Sequence, residues 1–187
     1  MIIALIIFNQ NAIIVYSDFY LQSYNFFERH HLQEFCTFIA RSYAKNHLNE
    51  SNEILQHDQF SVQIMLYRGL IATCITSESH SSNNIRLFLN EALSLFTRDY
   101  EQNLYNKVDR DQCFELVELK TLVNKHQKVE QIYETMDETK EILVKNIEDL
   151  IDRGTNLDEL IEKSDDLSYS SKMFAKKARG MNCCQIF

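Results

Sequence analysis

Sixteen positions between residues 129 and 181 recur at alternating steps of three and four. They are Val129, Ile132, Met136, Thr139, Leu143, Asn146, Leu150, Arg153, Leu157, Leu160, Ser164, Leu167, Ser171, Phe174, Ala178 and Met181. This is a 3.5-residue period, the spacing of a seam along which helices wind round one another. The stretch holds 21 charged residues, 20 of them among its 37 off-seam positions, and only Arg153 lies on the seam. A helix that was merely polar would spread charge around its whole surface. The pattern therefore predicts one long coiled-coil helix over 127–182. Tyr133, Ile147 and Ile161 each follow a seam position and widen the apolar stripe, which suits a bundle of several helices. Alone in water such a helix is marginal, because helix stability comes mostly from packing the apolar face. It is expected to be disordered or docked until partners bind.

The first hundred residues have a different period. The chain has three glycines and no proline, so long helices meet few breakers. "IIALIIF" and "AIIVYSDFY" are β-rich runs parted by a polar "NQN" break, which reads as a hairpin. In the next segment Phe27, Leu32, Phe35, Phe38, Ile39 and Tyr43 recur at helical spacing. Strand-like composition returns over "EILQHDQFSVQIMLYRG" and "LIATCITS", and a helix opening on Ser and Asn follows. The order β-β-α-β-β-β-α predicts an α+β domain over 1–107 with a five-stranded antiparallel sheet and flanking helices. Residues 108–126 are expected to be a helical connector, and 183–187 a separate tail.

That tail, Cys183-Cys184-Gln185-Ile186-Phe187, has the layout of a C-a-a-X box, with Cys184 as the prenyl acceptor and Cys183 as a second acylation point. A Phe in the last place favours geranylgeranyl over farnesyl. The net charge of −8 argues against a general nucleic-acid binder. Yet from Leu167 onward there is no Asp or Glu, while Lys172, Lys176, Lys177 and Arg179 lie within eight residues. Such a cluster suits an anionic membrane surface. "MIIALIIF" is too short for a membrane span and lacks the charged flank of a signal peptide, so it reads as a buried strand. Cys36, Cys74 and Cys113 sit among apolar neighbours and read as reduced core thiols; no metal-ligand spacing is visible, and no cofactor is expected.

Arg153 remains. A cation in an apolar seam is costly unless its five donors find partners: it can snorkel to solvent or serve as the polar residue that fixes register, and three glutamines from three other helices would supply a ring of carbonyl oxygens. "LIDRG" followed by "LDELIEKSDDL" resembles the central layer of an R-SNARE of the synaptobrevin class, with seven layers before Arg153 and eight after it. Asn146 and Phe174 resemble that class too. "FFERHHLQEFCTF" resembles the first helix of a longin domain, a profilin-like fold, and the paired cysteines resemble the lipid-anchored Ykt-type branch.

The resemblance implies a fusion protein on the cytoplasmic face of Golgi, ER, endosomal or vacuolar membranes and in the cytosol. Its partners would be three Q-SNARE helices in a four-helix bundle, with Arg153 as the zero layer. Prenylation of Cys184 and palmitoylation of Cys183 would replace a membrane span. The longin domain would hold the helix in an autoinhibited form, with an apolar groove at Phe35 and Phe38. Ser164 and Ser171, on the seam, are places where a phosphate would disturb assembly. A small GTPase is excluded, since three isolated glycines cannot form a phosphate-cradling loop. No nucleophile elbow is present, so an enzyme is not expected; longin-assisted self-palmitoylation is the one catalytic reading the thiols leave open. The alternative function is a lipidated coiled-coil tether or adaptor.

Overall fold

A computed structural model of the chain describes residues 1–46, 54–57, 60–77, 82–133, 144–146 and 157–182. Strands β1 (Ile2–Phe8) and β2 (Ile14–Phe19) form the expected hairpin. Asn9, fully buried, organises its turn. The Asn9 Oδ1 accepts from the amides of Asn11 (2.9 Å) and Ile13 (3.1 Å), and its Nδ2 donates to the carbonyls of Tyr105 (3.0 Å) and Val108 (3.2 Å). Helix α1 (Phe26–Asn46) follows, then β3 (Ile54–His57), β4 (Phe60–Tyr67) and β5 (Leu70–Ser77). The β4–β5 turn is Arg68-Gly69, with φ of 50° and 77°. Two successive positive φ values give a connection whose twist matches that of the strands.

Helices α2 (Ser82–Asp99), α3 (Gln102–Tyr105) and α4 (Val117–Tyr133) come next. A short strand β6 (Val144–Asn146) and helices α5 (Leu157–Lys163) and α6 (Tyr169–Asn182) complete the described elements. The sheet order is β2-β1-β5-β4-β3-β6. The expectation of five antiparallel strands is therefore corrected: among the described residues the sheet has six, and β6 pairs with β3 in parallel. The extra strand comes from within the seam region, where the heptad pattern conceals it.

Every residue of β1 is buried, because the sheet is covered on both faces. Ile3, Ile6 and Phe8 face a core shared with Phe38, Ile39 and Tyr43 of α1, while Ile2, Leu5 and Ile7 face Phe88, Leu93 and Phe96 of α2 and Leu119 and Val123 of α4. The connector departs from its expected helix. Residues 108–116 are not helical, and they run along the free edge of β2: the Gln112 amide donates to Ile14 O (3.0 Å) and the Phe114 amide to Val15 O (2.8 Å). An exposed sheet edge is a row of unpaired backbone groups, and covering it outweighs local helix propensity. Cys36 and Cys74 are buried thiols, but Cys113 is exposed on this connector, 3.2 Å from Ser17 Oγ.

Candidate functional site: the seam segment on the first helix

The long helix expected over 127–182 is not a single helix here. Its residues contribute the end of α4, strand β6, and helices α5 and α6. A heptad stripe without partner helices has an apolar face to bury, and the α1 side of the sheet provides the surface. Ile161 is fully buried, Leu167 and Ala175 nearly so, and Leu160 packs half-buried against the same core. The docked face is thus turned slightly from the seam: Ile161 sits deeper than Leu160, and Ala175 deeper than Phe174.

Polar contacts fix the register. Ser168 caps α6, its Oγ accepting from the Ser171 amide (3.3 Å). The Ser168 amide donates to Glu34 Oε2 on α1 (2.8 Å), and Glu34 Oε1 lies 2.9 Å from His30 Nε2. Burial alone would raise the Glu34 carboxyl, but the hydrogen bonds from Ser168 and Ser171 hold it below its ordinary value. His31 Nδ1 lies 2.8 Å from the Oγ of buried Ser171, and its ring stacks on Phe174 at 5.1 Å. Lys172 Nζ donates to the Glu162 carbonyl (2.7 Å) at the end of α5, and Lys176 pairs with the Glu162 carboxylate (2.7 Å).

Arg41, only 8% exposed, is the hub. Its guanidinium donates to Asp166 in the α5–α6 turn, to Asp111 in the connector and to the Ala12 carbonyl in the β1–β2 turn. The two carboxylates respond in opposite directions. Burial raises Asp166, and Arg41 does not fully offset it. For Asp111 burial acts the same way, yet the paired hydrogen bonds from Arg41 and the one from the Ile14 amide outweigh it and lower the carboxyl.

Of the remaining seam positions, Ser164 is half-buried in the α5–α6 turn. Val129 and Ile132 lie in α4, Asn146 in β6, Leu157 in α5, and Ala178 and Met181 in α6. Met136, Thr139, Leu143, Leu150 and Arg153 lie outside the described residues, as do Cys183 and Cys184. Phe38 is buried in the α1 core, and Phe35 packs half-buried beside it with ring centroids 6.4 Å apart. Sequence reading missed His31, Glu34, Arg41, Asp111 and Asp166. Arg41 carried the one usable signal: it lies three residues after Phe38, on the apolar side of α1. No helix among the described residues is long and apolar enough to cross a membrane.

The synaptobrevin family model matches residues 128–186, the span that holds the seam and the paired cysteines. Over the longer chain, the VAMP-like protein YKT61 of Arabidopsis thaliana is 31% identical across 171 residues, 87% of this chain and 85% of its own length. The synaptobrevin homolog YKT6 of Saccharomyces cerevisiae is 28% identical across 174 residues, 89% of this chain and 87% of its own. The similarity therefore takes in both the sheet domain and the segment docked on it, and the chain belongs to the synaptobrevin family as a Ykt-type R-SNARE.

Proposed function

We propose that this protein is a lipid-anchored SNARE of vesicle trafficking whose seam joins three glutamine-class helices to drive fusion, and that the docked segment is its resting form. The observation that carries the reading is the burial of Leu167 and Ser171, with Phe174 stacked on His31, against the sheet domain. These are seam residues, so a face built for a helical bundle is occupied within the chain. Assembly requires α5 and α6 to leave α1, which makes the sheet domain an inhibitor that partners displace. In the bundle Arg153 sets register, its five donors meeting three glutamine carbonyls. A geranylgeranyl or farnesyl group on Cys184 and a palmitate on Cys183 hold the end of the helix to the cytoplasmic face of an intracellular membrane. One lipid binds only marginally and two bind stably, so acylation of Cys183 tunes the division between cytosol and membrane.

The test is a thermal melt, followed by circular dichroism, of residues 125–181 alone and with three glutamine-class SNARE helices. The expected result is a peptide disordered alone that forms a high-melting complex, weakened by Arg153→Asp. Self-association without partners, indifferent to Arg153→Asp, would replace this reading with a lipidated tether.

A further inference from the structure

The start of α1 presents two adjacent phenylalanines to solvent. Phe26 and Phe27 are 76% and 81% exposed, and their rings meet edge to face at 5.8 Å. The helix entry that carries them is firmly held. The amides of Glu28 and Arg29 donate to the Asn25 carbonyl, and the Arg29 guanidinium donates to the carbonyls of Tyr24 (3.0 Å) and Gln22 (2.9 Å). The pair is thus a fixed apolar projection.

Its position in the fold gives it a context. Helices α1 and α6 run antiparallel, since Glu34 meets Ser168 at the start of α6 while His31, earlier on α1, meets Ser171 and Phe174 further along. Phe27 lies one turn before His31, about 6 Å along the helix axis. In the same direction α6 continues from Phe174 to Asn182. The aromatic pair and the C-terminal end of α6 therefore share one pole of the molecule. On the α6 side that pole is basic in sequence, with Lys172, Lys176, Lys177 and Arg179 and no acidic residue after Asp166, while in the first turn of α1 Glu28 is balanced by Arg29. Glu162 offsets one of these cations through Lys176.

We propose that this pole is a membrane-contacting surface, with Phe26 and Phe27 inserting at the headgroup level of an anionic bilayer beside the basic end of α6. Phe on the apolar face of an interfacial helix sinks to the boundary between headgroups and acyl chains, and clustered basic residues are drawn to anionic lipid. A convex pair of rings suits a deformable lipid surface; a rigid partner would need a matching pocket. The inference rests on the lipid-anchor reading for its biological use, because residues 183 and 184 follow α6 directly. While α6 is docked on α1, its C-terminal end and the aromatic pair face one bilayer side by side. Membrane contact through both then favours the docked form, and the resting protein can wait on the membrane as well as in the cytosol.

The chain contains no tryptophan, so Phe27→Trp supplies a single fluorescent reporter. The full chain with this substitution, carrying a histidine tag after Phe187, is held on nickel-chelating vesicles, which removes any dependence on prenylation. On vesicles rich in phosphatidylserine the emission should shift to the blue and be quenched by lipids brominated high on the acyl chain. Without the nickel tether, the double variant Phe26→Ser, Phe27→Ser should bind such vesicles about tenfold more weakly than the parent, the equivalent of about 1.4 kcal/mol, with an unchanged thermal melt. Solvent-like emission on the tethered anionic vesicles would overturn the proposal. So would a blue shift that appears in solution once Cys184 is prenylated, since the rings would then be covering the chain's own lipid. Failure to incorporate labelled isoprenoid at Cys184 would remove the anchor reading and leave the tethered result standing.

Discussion

Arg41 holds Asp166 and Asp111 with one guanidinium: Nε donates to Asp166 Oδ1 at 2.9 Å, and Nη2 to Asp111 Oδ2 at 2.6 Å. The two acids lie in the α5–α6 turn and in the connector, so a single side chain on α1 fastens the seam segment and the β2 edge together. The planar fork is what permits this; an ammonium would offer a point charge in place of two directed pairs.

Because Arg41 keeps Asp111 and the Ala12 carbonyl when Asp166 is removed, the two sides of the hub should be separable. Asp166→Ala leaves the Nε donor of Arg41 without its acceptor and is expected to loosen docking of residues 157–176 by about 1–3 kcal/mol, the cost of an unsatisfied buried donor. The thermal melt of the sheet domain should barely move. Arg41→Met strands two acids and should lower that melt as well as free the segment. Hydrogen exchange, read peptide by peptide, distinguishes the outcomes; equal loss of protection throughout Asp166→Ala would refute a separable hub.

Asn9 makes a second prediction, for the sheet domain alone. Its buried side chain satisfies two amides and two carbonyls, so Asn9→Ala leaves several backbone groups without partners. Each such group costs about 1–3 kcal/mol, and a total near the upper end of that range is expected in a urea titration. Asn9→Asp should be costly too, because it replaces the donor that reaches Tyr105 and Val108. A loss below about 1 kcal/mol for the alanine variant would mean water replaces the amide.

These two sites mark how far the fold was legible from sequence. The unbroken apolar run of β1 and the "NQN" break announced a doubly covered strand and a hairpin, since burial on both faces leaves a continuous pattern. The second half of the connector, 117–126, is helical as expected, but in 108–116 nothing local reveals that Gln112 and Phe114 will pair with β2. Strand β6 was hidden for the same reason: Val144-Lys145-Asn146 is three residues of a heptad until the edge of β3 lies beside it. The apolar stripe of α5 and α6 was visible, with Ile161 noted on its flank, but its receiving surface was not. Arg41, Glu34 and His31 become partners of the seam only through contacts more than a hundred residues apart in sequence.

The third prediction concerns acid. Glu34 is held below its ordinary value in the docked form. It therefore stabilises docking above the ordinary carboxylate range and loses that contribution as pH falls through its lowered value. Asp166 is raised, so its contribution is present below the ordinary Asp value and is lost as pH rises through the raised one. The two oppose each other. In Asp166→Asn the Glu34 dependence should stand alone, and the Ser168 amide resonance should move toward its undocked position on titration from about pH 7 to about pH 3. Glu34→Gln should abolish that movement. A titration identical in both variants would show that neither carboxylate governs docking.

His31 offers the cleanest separation of docking from assembly. Phe174 and Ser171 belong to the seam, so changing either alters the docked form and the proposed bundle together. His31 lies on α1 and touches the segment only in the docked form, through the Ser171 hydroxyl at 2.8 Å and the stacked ring of Phe174. His31→Ala should therefore weaken docking by about 1 kcal/mol, the scale of one hydrogen bond with part of an aromatic contact. The melting temperature of the assembled four-helix complex should stay unchanged. The rate at which full-length protein enters that complex should rise about fivefold, because the undocked fraction that can react grows by the same factor. If assembly of His31→Ala is no faster while exchange at residues 168–175 confirms undocking, release of α6 does not limit assembly, and the barrier lies in the earlier half of the seam.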